Sequence, residues 1–185
     1  FDGINDIILK MVDLVILVSP YGVFALLAGL VVDFGASTTL FIALGKYSVT
    51  VIIGLFIMAF LIYPLIFSIF TRIRYSKFFK SISPAQMLAF STSSSAATLP
   101  VTMERCEEYL GVSKEITSFV LPLGATINMD GTSLYQAIAA VFIAQVFNIE
   151  LDVSEQLTIV LTATLASIGA AAVPGAGMVM LVIVL

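Results

Sequence analysis

From 47 to 71 the chain runs twenty-five residues without an Asp, Glu, Lys or Arg. An apolar helix of ~20 residues already spans the ~30 Å of hydrocarbon in a bilayer. Four further intervals have the same character: 14–32, 81–103 and 156–185 carry no charge, and 116–149 carries one, Asp130. Little chain is left over for a soluble domain. Apolar residues make up 60% and charged residues 11%, where a soluble domain has roughly 45–50% and about 25%. The net charge of −4 provides no basic footprint for nucleic acid. With no His and one Cys, Cys106, the chain has no Ser-His catalysis, no His-ligated zinc and no intrachain disulfide. The reading is an all-α integral membrane protein, multi-pass and resident in the cell membrane.

At the start, Ile4, Ile7, Ile8 and Met11 fall at helical spacing between Asp2, Asp6, Lys10 and Asp13. That pattern reads as an amphipathic lead-in lying in the interface. No basic n-region or cleavage site of a signal peptide is present. The chain opens without Met and stops inside an apolar run, so it reads as a fragment of a larger membrane protein.

Topology follows from the basic residues. Arg72, Arg74, Lys77 and Lys80 share one short loop with no acid among them, while the connections at 33–45 and 147–155 hold no Lys or Arg. By the positive-inside rule the first is cytoplasmic and the other two external. The polar stretch 104–115 holds Arg105 and Lys114. A full crossing by 81–103 places that stretch outside. A segment that enters and returns keeps both basic loops inside. The charge bias therefore predicts a re-entrant hairpin over 81–103.

The centre of that segment supports the same reading. It contains Ser91, Thr92, Ser93, Ser94 and Ser95 in succession and then Pro100. Hydroxyl side chains offer the backbone other hydrogen bonds, and a residue before Pro is biased away from helix. Irregular backbone at membrane depth is tolerated only inside protein or beside a wet cavity. The last segment has similar anatomy, from Ser167 through Pro174 to Gly177. Superposing Pro174 on Pro100, an offset of 174 − 100 = 74, sets Ser167 on Ser93 and Ala170 on Ala96. Two interrupted apolar segments in corresponding positions point to a transporter binding site. The bland alternative is a pair of small-residue packing faces.

Between them lies Asp130, fifteen residues beyond Glu115. A bare carboxylate at this depth costs at least ~2.5–3.5 kcal/mol on insertion scales. The surrounding run has no Lys or Arg, so its partner is a proton, a basic group on another segment, or a bound cation. Asn128 offers an amide oxygen, Thr126 and Thr132 offer hydroxyls, and Gly124 and Gly131 are placed to loosen the helix and free carbonyls. Hard cations take oxygen ligands of this kind. The plainer reading is an Asp held by a neighbouring helix for structure alone.

Taken together, 94–100 (Ser-Ser-Ala-Ala-Thr-Leu-Pro), 128–132 (Asn-Met-Asp-Gly-Thr) and 167–177, ending Val-Pro-Gly-Ala-Gly, resemble the glutamate transporter family. These are the dicarboxylate/amino acid:cation symporters, which include the excitatory amino acid transporters and prokaryotic sodium-coupled homologues. The resemblance covers essentially the whole chain. It implies a scaffold-type helix over 1–36 and part of a transport domain over 37–185. Within that part it implies a transmembrane helix at 38–70 and a first re-entrant hairpin at 81–108. A broken transmembrane helix follows at 113–147, then the first part of a second hairpin at 154–185, the two hairpins forming an inverted repeat.

By the same resemblance, Ser93, Ser94 and Ser95 meet a substrate carboxylate. Thr132 meets the distal carboxyl, and Val173, Ala176 and Gly177 are gate contacts. Asn128 and Asp130 are sodium ligands with carbonyls of Gly124, Thr126 and Met129. Ser167, Ile168 and Ala170 hold another sodium through gate carbonyls. Relatives that also move a proton and potassium carry Glu where this chain has Gln136. Gln does not titrate at physiological pH, so coupling to sodium alone is expected.

The resemblance thus implies sodium-coupled symport of an acidic amino acid by alternating access, in a homotrimer in the lipid bilayer. A neutral amino acid or C4-dicarboxylate is the alternative substrate. An ion channel using the polar tips as a filter is the rival of another class. A serine hydrolase built on 93–95 lacks a base, so the chain is not read as an enzyme.

Overall fold

The computed structural model describes residues 2–34 and 38–185, and every regular element among them is helical. Two compact units are separable, Phe1–Lys46 and Tyr47–Leu185. The first contains α1 (Asp2–Phe34) and the start of α2 (Thr38–Ile57). The lead-in side chains Ile4, Ile7 and Ile8 and residues 35–37 lie outside the described residues.

In the second unit, α2 continues through a π-helical turn, Met58–Ile62, into α3 (Tyr63–Phe70). Pro64 explains the turn. It lacks the N–H that an α-helix would offer to Phe60, and one wider turn absorbs the mismatch. Phe41–Phe70 is, among the described residues, the helix long and apolar enough to cross a bilayer, thirty residues whose most apolar stretch has mean hydropathy 2.6. Its large side chains face outward: Phe70 is 81% exposed, an exterior suited to lipid rather than water.

Next come α4 (Tyr75–Thr92) and α5 (Ser95–Leu110), which pack against each other. Arg105 Nε donates to the Ser81 carbonyl at 2.7 Å and ties their distal ends. The break between them is two residues long. Ser93 is left-handed (φ 51) and Ser94 is extended, its hydroxyl capping the Ala97 amide at 3.2 Å. Pro100 breaks nothing, although the residue ahead of it reads as non-helical; it lies inside α5. Proline is tolerated there because hydroxyl side chains and neighbouring segments satisfy the backbone around it.

Then follow α6 (Lys114–Ile127) and α7 (Asp130–Val146), interrupted at Asn128 and Met129, and α8 (Val153–Ile168) and α9 (Ala176–Val184). Asp152 and Glu155 form a reciprocal capping box that starts α8. Gly124 and Gly131 do not mark the break in the third segment, since both sit inside helices that flank it. Helices α7, α8 and α9 close on small residues: Ala140, Ala163, Ala166 and Val184 form a buried cluster. Alanine at these contacts lets helix backbones approach closely.

Candidate functional site

The interruption at Asn128 (φ −99, ψ 73) and Met129 (φ −110, ψ 60) decides which carbonyls are available. A helix end leaves its last carbonyls without amide partners. The Gly124 carbonyl still accepts the Asn128 amide at 3.0 Å, and the Met129 carbonyl accepts the amides of Thr132 and Ser133 at 3.0 and 3.1 Å. Of the three carbonyls expected to face a cation, the Thr126 one is therefore the one left open by the break. The Thr126 hydroxyl donates back to the Leu123 carbonyl at 3.0 Å.

Asp130 begins α7 and lines a cavity of about 910 Å³. Its Oδ2 accepts a hydrogen bond from the Tyr63 hydroxyl at 3.0 Å. That bond uses one of the two carboxylate oxygens, and a phenol is a neutral donor. Tyr63 escapes sequence reasoning, although a tyrosine inside an apolar run carries a hydroxyl that needs a partner. Tyr47 and Tyr135 line the same cavity.

Three broken segments converge on this cavity. Ser93 and Ser95 come from the tip between α4 and α5; Asn128, Met129, Asp130 and Thr132 come from the α6–α7 break; Val173 and Gly177 come from the tip between α8 and α9. Ser95, Asp130 and Gly177 lie in the first turns of α5, α7 and α9 respectively. Each helix N-terminus carries roughly half a positive charge from its unpaired amides. The wall is thus electropositive at three places and bears a single carboxylate.

The two tips also meet directly. The Ser94 hydroxyl donates to the Ala172 carbonyl at 3.0 Å, and the Ala96 amide donates to it at 3.2 Å. Ser94 is buried and its side chain is occupied by these bonds. Gly175 has φ 79, a conformation costly for any residue with a Cβ, and it starts α9. Two residues on, a Cβ at Gly177 would stand 2.8 Å from Thr132 Cγ2 and would overlap the Tyr135 hydroxyl. Only glycine lets this tip lie against α7.

Gln136 fixes that contact. It is fully buried, and its Nε2 donates to the Gly177 carbonyl at 2.8 Å. Its Oε1 has no hydrogen-bond partner among the described residues. Ser167 is buried too; it accepts from Ser133 Oγ at 2.6 Å and donates to the Thr164 carbonyl at 2.8 Å. Ser167, Ile168, Ala170, Ala176, Gly124 and Thr126 do not line the cavity. The structure therefore gathers Ser93, Ser95, Asn128, Met129, Asp130, Thr132, Val173 and Gly177 around one space, and sets the residues expected at a second sodium apart from it.

Comparison with known families places this apolar exterior and its cavity in context. The chain belongs to the sodium:dicarboxylate symporter family, whose model matches residues 1–185. Over all 185 residues it is 48% identical to excitatory amino acid transporter 4 of Rattus norvegicus and 48% identical to excitatory amino acid transporter 1 of Homo sapiens. It is 46% identical to excitatory amino acid transporter 2 of Homo sapiens over the same length. The chain spans about one third of these relatives, 33%, 34% and 32% of their lengths.

Proposed function

We propose that this chain is part of a sodium-coupled symporter for an acidic amino acid, a carrier rather than an enzyme, working by alternating access. The observation that carries the reading is the cavity on which three helix N-termini and Asp130 meet. Helix N-termini favour anions, so the wall suits a substrate with carboxylates. Asp130 alone repels such a substrate. A cation bound at Asp130, with the Asn128 amide and the open Thr126 carbonyl beside it, reverses that repulsion. Sodium binding and substrate binding then favour each other, and by linkage the effect is reciprocal.

The roles follow from position. Ser93 and Ser95 offer the first tip to one carboxylate, and Thr132 faces the distal one. Val173 and Gly177 close the second tip over the substrate, with Ala176 behind them. Ser94 acts as the clasp between tips. Ser167, Ile168 and Ala170 hold a further sodium once the second tip rearranges, because in the present arrangement they stand away from the cavity. Gln136, which cannot release a proton, leaves sodium as the driving ion.

In the membrane, the paired helices at 81–108 and 154–185 are re-entrant hairpins of an inverted repeat, around transmembrane helices at 38–70 and 113–147. Residues 1–36 belong to a scaffold in a homotrimer, and 37–185 to the transport part. The loop with Arg72 to Lys80 faces the cytoplasm.

The test is uptake of labelled aspartate and glutamate by the full-length carrier in proteoliposomes, with an inward sodium gradient. The expected result is saturable accumulation that stops when sodium is replaced by choline. Flux that does not saturate, or that ignores the sodium gradient, indicates a channel and overturns the reading. Accumulation of alanine or succinate in place of aspartate would overturn the substrate assignment alone.

A further inference from the structure

The most basic stretch of the chain has no acidic partner among the described residues. Arg72, Arg74, Lys77 and Lys80 fall within nine residues that contain no Asp or Glu, and all four side chains are exposed. Among the described residues no ion pair holds any of them. A topology signal needs the charges but does not need a pocket, and here there is one. A space of about 580 Å³ is lined by Phe60, Tyr75, Ser76, Phe79, Lys80, Ser83 and Pro84.

Its two walls differ in chemistry. Ser76, Phe79, Lys80 and Ser83 are spaced i, i+3, i+4 and i+7 and form one stripe of α4. Phe60 comes from the π-helical turn that Pro64 imposes. The same turn presents the Ala59 carbonyl, which accepts the Tyr75 hydroxyl at 3.2 Å and pins the start of α4 against it. The Tyr75 ring is held further by Phe67 and Phe78, with centroids 5.7 and 5.9 Å away. On this framed opening Phe60 remains 61% exposed and Phe79 37% exposed. The opening thus offers an ammonium and hydroxyls along the α4 stripe, beside the uncovered aromatic faces of Phe60 and Phe79.

We propose that this pocket is a binding site for an anionic phospholipid. The headgroup phosphate sits on the Lys80 ammonium and the Ser76 hydroxyl one turn before it, and an acyl chain runs along Phe60 and Phe79. Arg72, Arg74 and Lys77 add attraction for net negative charge. A zwitterionic headgroup would bring its own cation towards four like charges and gains little. Free phosphate would satisfy Lys80 but leave the aromatic faces uncovered. Basic pockets on the cytoplasmic side are placed to meet the anionic leaflet. The inference rests on the membrane reading of the chain and on no assignment of substrate.

The test uses the full-length carrier in phosphatidylcholine nanodiscs doped with a photoreactive phosphatidylserine analogue, with adducts mapped by mass spectrometry. Adducts are expected on 58–62 and 75–84. Each lysine near an anionic surface is worth about five-fold in affinity, so the Lys77→Gln, Lys80→Gln double variant should lower labelling about 25-fold. Sodium-dependent substrate binding, kept in that variant, shows that it folds. Excess glycerol 3-phosphate should not displace the analogue. Equal labelling by a phosphatidylcholine analogue, undiminished labelling of the double variant, or displacement by glycerol 3-phosphate each overturns the proposal.

Discussion

Replacing Gln136 with Glu changes one group at the most enclosed polar position of the second unit. Gln136 is 0% exposed, and its Nε2 lies 2.8 Å from the Gly177 carbonyl. A protonated Glu keeps that bond, because its O–H donates to the same carbonyl. An ionised Glu turns an anion towards a carbonyl oxygen, with no donor for the oxygen that replaces the unpartnered Oε1. A buried charge left without a partner costs about 3–5 kcal/mol. The closed state then holds a proton that the opened state has released, so the closed tip is most stable at acid pH and loses that stability as pH rises. The assay is substrate affinity of the full-length carrier between pH 5 and 9. Wild type should be flat, and Gln136→Glu should lose up to about tenfold per pH unit in the window. Gln136→Met should bind more weakly at every pH without a slope. A flat Gln136→Glu variant with wild-type affinity, or a sloping wild type, would refute the reasoning.

Three other outcomes follow from the geometry. Gly177→Ala forces a Cβ to within 2.8 Å of Thr132 Cγ2 and into the Tyr135 hydroxyl. Overpacking of this kind costs about 1–3 kcal/mol, so substrate affinity by calorimetry should fall roughly five- to 150-fold, and adding Tyr135→Phe should recover part of it. Ser94→Ala removes both a helix cap and the bond to the Ala172 carbonyl. A loss of about 1–2 kcal/mol in thermal stability is expected, and an unchanged midpoint would contradict the clasp between tips. Tyr63→Phe deletes the donor to Asp130 Oδ2. Without sodium the melting midpoint should drop by the equivalent of about 1–2 kcal/mol, and sodium should restore most of it. An equal drop with and without sodium would show that the two do not share the carboxylate.

The long uncharged runs made the helices legible, and the hydroxyl run, Asp130 and the Gly/Pro run each marked a real interruption. The shape of each interruption was not legible. Proline disfavours helix in the residue before it, yet Pro100 sits inside α5, because in this segment the turn is made by Ser93 at positive φ and capped by Ser94. The glycines at 124 and 131 looked like the weak points of the third segment. The chain instead opens at Asn128 and Met129, whose backbone leaves the helical region. Aligning Pro174 with Pro100 equates Ser167 with Ser93, but one is buried in α8 and the other is a turn residue on the cavity. Tyr63 was hidden for a different reason. Its meeting with Asp130 is a tertiary contact across 67 residues, set by the wider turn that Pro64 imposes, and no local pattern encodes it.

The most direct test of the account is a sodium titration of substrate binding to full-length carrier, wild type against Asp130→Asn. If the carboxylate holds the ion that admits an anionic solute, wild-type affinity climbs with sodium, while the folded variant binds weakly at every sodium concentration. A variant whose affinity climbs with sodium as the wild type does would contradict it.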